Sequence, residues 1–280
     1  MRREALASAD GVVVIDHPVG ELDPGVTGRQ DRPVAGVDNG YVAGYRVRFD
    51  EAGADGLLRT SGLLRYAQDV AWRHSEDLGF DRRWYVERGR WWVARAVELE
   101  VLAPIPMGRT LRTATAVIGH RRIWARRLGE SRFADGTPVA RVRTDWVLLD
   151  ERGRVVRIPA DFGLSFSAPE LSDDLVRVRL PPEPAGSARL ELVVRPADLD
   201  PMDHVNNAVY LDWIEEGLQA AGLRSAVTAI PRRARLEYIA SAPPAASVTV
   251  TAWGEPDAWW ARVERDGADL VRASGTSGDR

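Results

Sequence analysis

The sequence predicts an α+β protein made of two copies of one unit, each a long helix wrapped by a continuous antiparallel sheet. Three observations carry this. A strand, a single helix and a run of long alternating strands occur in that order twice. A Pro- and Ser-rich stretch, residues 159–187, separates the two runs. A shift of 147 residues lays one on the other, bringing Val47 to Val194, Tyr66 to Trp213 and Asp69 to Glu216.

Residues 1–41 are rich in Gly, Asp, Pro and Val without a sustained period, so a poorly ordered leader is expected there. The first unit spans 42–158. "YRVRF" alternates as a half-buried strand does. Residues 60–79 read as a helix, with Thr60 or Ser61 as N-cap, an apolar side at Leu64, Ala67, Val70 and Ala71, and Gly79 as the stop. Four strands follow, "WWVARAVELEVL", "TLRTATAVIGH", "RIWARRLGESRF" and "PVARVRTDWVLLD", parted by turns such as "ADGT".

After the linker, 159–187, the second unit spans 188–275, with a tail at 276–280. "ARLELVVRP" is its first strand and 201–222 its helix. The helix carries Val205, Val209, Trp213 and Leu218 as a stripe, with Tyr210, Ile214 and Ala221 beside it. "RRARLEYIA", "SVTVTAWG", "AWWARVERDG" and "ADLVRASGT" complete the sheet. Two such units joined edge to edge hide both sheet edges.

Composition narrows the function. The chain has 280 residues, no Cys and a net charge of −3, which excludes thiolate chemistry, disulfides and a global basic field for nucleic acid. Every Lys-or-Arg position is Arg, so Arg clusters alone argue little; the pairs at 121–122, 126–127 and 232–233 are expected on solvated strand faces. "GVVVI" is too short for a signal sequence or a membrane span, and a soluble, cytoplasmic protein is expected. The ten Trp are assigned to core packing, with the wall of a ligand tunnel as the alternative.

The chemistry concentrates in "DLDPMDHVNN", residues 198–207. Asp200 followed by Pro201 reads as an N-cap and first helical residue, with Asp203 in the first turn. That leaves His204, Asn206 and Asn207 unexplained beside a stripe that must be buried. Helix N-terminal N–H groups suit a carbonyl oxygen becoming an oxyanion. A carboxylate there activates water or attacks directly. Hydrolysis of an activated acyl group is the natural reaction, and a covalent route would have to use Asp200. Asp198, Asp200, Asp203 and His204 as metal ligands are weighed and set aside, because two of these acids belong to a cap.

"DLDPMDHVNNAVYLDWIEE" resembles the signature of the hot-dog thioesterases, and of the acyl-ACP thioesterases of plants and bacteria in particular. The resemblance covers roughly residues 42–275. It implies a tandem (double) hot-dog with its site in the C-terminal repeat. Asp200 would be the general base or nucleophile and His204 a polarising or positioning group. Asn206, Asn207, Met202 and Tyr210 would contact substrate. Under the shift, Gly53, Leu57, Arg59 and Thr60 stand where Asp200, His204, Asn206 and Asn207 do, so the N-terminal copy is expected to lack a site. Glu216 is expected to pair structurally near the helix end. The implied partner is acyl carrier protein bearing a phosphopantetheine-linked acyl chain, in fatty acid biosynthesis. No cofactor, metal, nucleic acid or membrane span is expected, and the chain would be a monomer or homodimer. The sequence also departs from the family: Met202 replaces an Asn, and Ser241 and Ala242 replace an acid and a Cys of the plant site. Two alternatives therefore stand beside acyl-ACP hydrolysis: an acyl-CoA thioesterase of the same fold, and a non-hydrolytic acyl- or carrier-binding protein.

Overall fold

The computed structural model describes residues 28–29, 40–166, 168–255 and 257–278. The expected leader, save Gly28, Arg29, Gly40 and Tyr41, lies outside them, as do residues 279–280 of the tail. In chain order the strands are β1 (Gly28–Arg29), β2 (Tyr41–Arg46), β3 (Arg90–Val101), β4 (Thr110–Arg121), β5 (Trp124–Phe133), β6 (Pro138–Asp150), β7 (Ala188–Val193), β8 (Arg232–Tyr238), β9 (Ser247–Glu255), β10 (Ala258–Arg265) and β11 (Ala268–Ser277). The helices are α1 (Thr60–Asp77), α2 (Arg82–Arg88), α3 (Ala160–Ser165), α4 (Asn207–Ala220) and α5 (Arg224–Thr228).

All eleven described strands form one sheet, ordered β1-β2-β4-β5-β6-β3-β8-β11-β10-β9-β7. The β3–β8 seam joins the halves, antiparallel from Ala96 opposite Glu237 to Val101 opposite Arg232. The long helices α1 and α4 lie side by side on one face of this sheet. The expected stripe explains why: Val209, Tyr210, Trp213, Ile214 and Leu218 of α4 are all buried in one core with Leu64 and Tyr66 of α1. Each such side chain contributes about 1.5–3 kcal/mol by leaving water. Gly217 lets α4 sit close on the sheet, because a Cβ there would stand 2.7 Å from Val250 Cγ1.

The repeat is visible in backbone detail. β2 and β7 begin at Tyr41 and Ala188, the long helices at Thr60 and Asn207, and a single 3-10 turn precedes each, at Phe49–Glu51 and Pro196–Asp198, all 147 residues apart. Each 3-10 turn is closed in the same way: the Arg48 N–H donates to Glu51 Oε2 at 2.8 Å, and the Arg195 N–H donates to Asp198 Oδ2 at 2.7 Å. Near the pseudo-twofold axis the copies have diverged usefully. In a true homodimer a charged residue close to the axis faces its own copy and is repelled. Here Arg65 faces its counterpart Asp212, with Nη2 3.1 Å from Oδ2, and across the seam Glu98 pairs with Arg235.

Four results differ from the sequence reading, the first being that α1 has Arg59, with no side-chain cap bond, at its cap position rather than Thr60 or Ser61. The second helix starts at Asn207 rather than 201, for a reason given below. The short helices α2, α3 and α5 were not expected. And Arg126 and Arg127 are buried, not solvated. Alternation points Arg127 toward α1 and Arg126 toward the opposite face. On that face the linker runs as a strap across both halves. Arg126, 3% exposed, forks onto Asp145, 1% exposed, at 2.6 and 2.9 Å, and the Val176 N–H of the strap donates to Asp145 Oδ2 at 3.0 Å. Two residues on, the Val178 N–H donates to Glu237 Oε2 at 2.9 Å, and Arg177 reaches Oε1 at 2.7 Å. Burial alone would raise the Glu237 carboxyl, but Val178, Arg177 and Arg95 outweigh it and hold it below the usual range. Because Asp145 belongs to one half and Glu237 to the other, the strap ties the repeats together.

Candidate active site

The stretch from Asp198 to Tyr210 begins with a buried anchor. Asp198, 2% exposed, takes Arg195 Nη2 at 2.8 Å and the Arg195 N–H, so its carboxylate is committed to the 3-10 turn. Burial would raise that carboxyl, yet Arg195 holds it low. The chain then folds back before any helix begins. Leu199 bridges Val205, the Asp200 N–H donates to His204 O at 2.7 Å, and the Asp203 N–H donates to Asp200 O at 3.0 Å. Asp203 sits at φ 60°, a left-handed position that Asp tolerates better than most side chains.

Asp200 is therefore not a helix cap. Its Oδ1 accepts the Met202 N–H at 2.8 Å and the His204 N–H at 3.3 Å, an Asx-type turn that replaces the first helical turn expected from Asp-Pro. Oδ2 has no hydrogen bond among the described residues, and Asp200 is half-buried. The cap is Asn206, whose Oδ1 accepts the Ala208 N–H at 2.9 Å. This also resolves the surplus of Asn: one caps, and the next opens the helix.

Two tyrosines brace the same corner. The Tyr238 hydroxyl donates to Asn207 O at 3.0 Å, fixing the helix start against β8. Tyr210, one turn into α4, accepts the Ala242 N–H at 2.8 Å, with its ring 5.2 Å from Trp213 and 6.0 Å from Tyr238. Burial raises both phenols above their ordinary range. The structure thus gathers Asp200, Asn206, Asn207, Tyr210, Ser241 and Ala242 around one helix end. Met202 and His204 lie on its exposed rim. Tyr238 was missed from sequence, because its partner lies on another element and nothing in "RLEY" marks it. The arrangement supplies a carboxylate oriented by two main-chain donors, a free carboxylate oxygen, and the partial positive charge of a helix N-terminus.

The corresponding corner of the first repeat keeps the backbone and changes the chemistry. The Gly53 N–H donates to Leu57 O at 2.8 Å, and Gly56 takes φ 73° where Asp203 takes its own positive φ. Gly53 offers no carboxylate. Instead Arg232 Nη2 donates to Thr60 Oγ1 at 2.8 Å, and Glu215 of α4 shares a small cavity with them. Burial pushes the Glu215 carboxyl up to about 7, against the opposing effects of Thr60 and Arg232. A folded-state value above the unfolded one means stability that is full at acid pH and lost as pH rises through about 7. Thermal unfolding of Glu215→Gln against the parent chain, from pH 5 to 8, should show this contribution in the parent and its absence in the variant.

Comparison with known proteins follows the same division. The family model for the acyl-ACP thioesterase N-terminal domain matches residues 38–165, and that for the C-terminal domain matches 183–260. An oleoyl-acyl carrier protein thioesterase of Coriandrum sativum is 24% identical over 202 residues, covering 64% of this chain and 53% of the relative. An acyl-[acyl-carrier-protein] hydrolase of Cuphea viscosissima is 27% identical over 191 residues, covering 61% and 45%. The chain spans about half the length of these curated relatives. Among solved structures, a putative oleoyl thioesterase of Lactobacillus plantarum matches at a TM-score of 0.76 and 20% identity, covering 86% of this chain and 97% of the other. The 12:0-ACP thioesterase of Umbellularia californica matches at 0.72 and 20%, covering 85% and 96%. The fold is the tandem hot-dog, and the chain belongs to the acyl-ACP thioesterase family.

Proposed function

We propose that the protein hydrolyses acyl-ACP thioesters to free acid and holo-carrier at one site, the α4 N-terminal corner of the C-terminal repeat. The observation that carries this is the Asp200 carboxylate, with Oδ1 held by two N–H groups and Oδ2 left to act. In this reading Oδ2 takes a proton from water as it attacks the thioester carbonyl, or attacks the carbonyl itself. The α4 N-terminus favours the developing oxyanion. His204, Met202, Asn206 and Asn207 receive the head of the substrate, and Tyr210 holds the 241–242 segment that forms one wall. The N-terminal copy, with Gly53 at the equivalent position, serves as scaffold.

The two family models and the named relatives support the carrier-linked substrate. No helix among the described residues is long and apolar enough to cross a membrane. The setting we infer is the cytoplasm, with the chain as monomer or homodimer, since the duplication already provides internally the pairing of two hot-dog units. Matched acyl-ACP and acyl-CoA thioesters of graded length test the carrier. The expected result is a kcat/KM at least about tenfold higher for the ACP series, equivalent to roughly 1.4 kcal/mol of differential transition-state binding. An equal or reversed ratio contradicts the carrier assignment and favours the CoA reading.

A further inference from the structure

The two repeats differ sharply on their inner faces. In the N-terminal repeat, Thr113 and Thr115 of β4 point toward α1, paired across β5 with Ser131 and Gly129, and Arg127 stands one step further along. At the equivalent places the C-terminal repeat has Val250 and Ala252 on β9, paired across β10 with Val263 and Ala261, and Trp259 one step further along. The second set is wholly buried and apolar. The first is buried and polar: Thr113 Oγ1 lies 2.9 Å from Ser131 Oγ, and Arg127 Nη1 lies 2.9 Å from His74 Nδ1 and 3.5 Å from Thr115 Oγ1. A guanidinium only donates, so His74 presents Nδ1 as an acceptor there.

Arg127 is the anomaly. It is 7% exposed, with the Phe166 ring 5.3 Å from its guanidinium carbon, and no described carboxylate pairs with it. Its neighbour Arg126 forks onto Asp145 and also reaches Asp173, so the fold is able to match a buried Arg with acids. A buried cation without a counter-charge is costly, and its neutral partners offset only part of that cost. Burial pushes the group down to about 10, consistent with a site short of negative charge.

By the pseudo-twofold relation, the strip lies toward the same end of the α1–α4 pair as the proposed site. At the first repeat's corner the start of α1, Thr60, meets Glu215 of α4. The pseudo-twofold relation therefore sets Asn207 of α4 against Gln68 of α1, six residues or roughly 9 Å of helix from His74.

We propose that this strip recognises an anionic, oxygenated group on the acyl chain, with Arg127 supplying the charge and Thr115 and His74 the flanking polar contacts. The substrate class is an acyl thioester bearing a second acidic group, such as an ω-carboxyacyl chain. This rests on the hydrolytic reading above. The test compares carrier-linked ω-carboxyacyl and methyl-ended acyl thioesters of matched, graded length, on the full chain and on Arg127→Met and Thr115→Val. The expected result is a kcat/KM roughly tenfold or more higher for the ω-carboxy series in the parent chain. The ratio should fall to about one in Arg127→Met and move the same way, less far, in Thr115→Val. If Arg127→Met does not fold, the parent chain and Thr115→Val decide the matter. A methyl-ended series hydrolysed as well as or better than the ω-carboxy series overturns this inference alone. Hydrolysis of neither series overturns the hydrolytic reading, and this inference with it.

Discussion

Asp200→Asn should lower kcat/KM for acyl-ACP hydrolysis by about 10²–10⁴-fold while leaving the fold in place. The structure makes this a clean substitution. The Asn side-chain oxygen can still accept the Met202 and His204 N–H groups that Asp200 Oδ1 accepts, so the turn before α4 keeps its closure. Exchanging an ionised acceptor for a neutral one weakens each bond by about 1 kcal/mol or less. What disappears is the second oxygen, replaced by an amide that takes no proton. Because Asn206, not Asp200, caps the helix, α4 is untouched by the change. Steady-state kinetics beside a thermal unfolding curve separates the two effects. Full activity with a small loss of stability would make Asp200 a turn residue and nothing more.

Asp145→Ala should cost about 3–5 kcal/mol of unfolding free energy, the range for removing one partner of a buried ion pair. Arg126 would lose both of its buried carboxylate contacts and keep only Asp173 and the Asp174 carbonyl, and the strap would lose the acceptor of its Val176 N–H. Since the strap continues to Glu237 in the other half, loosening at Asp145 should also weaken the tie between repeats. Denaturant unfolding measures the cost, and amide exchange at Val176 and Val178 reports the strap. A loss under about 1 kcal/mol would show that solvent or the Asp173 pair compensates.

Much of the architecture was readable from local pattern. Period-2 runs marked the long strands, the apolar stripe from Val209 to Leu218 marked the helix face, and the 147-residue shift holds down to matching 3-10 turns and bridges. The helix start was misread because Asp-Pro is a good cap signal in isolation. The competing use of the Asp200 side chain, on N–H groups two and four residues ahead, is an equally local choice that pattern alone does not rank. Tertiary facts stayed hidden for a different reason. Whether Arg126 and Arg127 are solvated depends on Asp145, Asp173 and His74, each distant in sequence. The candidate site was legible in its residue types because they crowd into one short stretch. Its bracing by Tyr238 was not, since that contact spans two elements.

The intact mass of acyl-ACP incubated with catalytic amounts of the chain speaks most directly to hydrolysis by the C-terminal repeat. The account predicts conversion of many carrier molecules per protein to the holo form, with free acid accumulating. Carrier that stays acylated while it binds the chain would contradict it and leave a binding protein in the place of an enzyme.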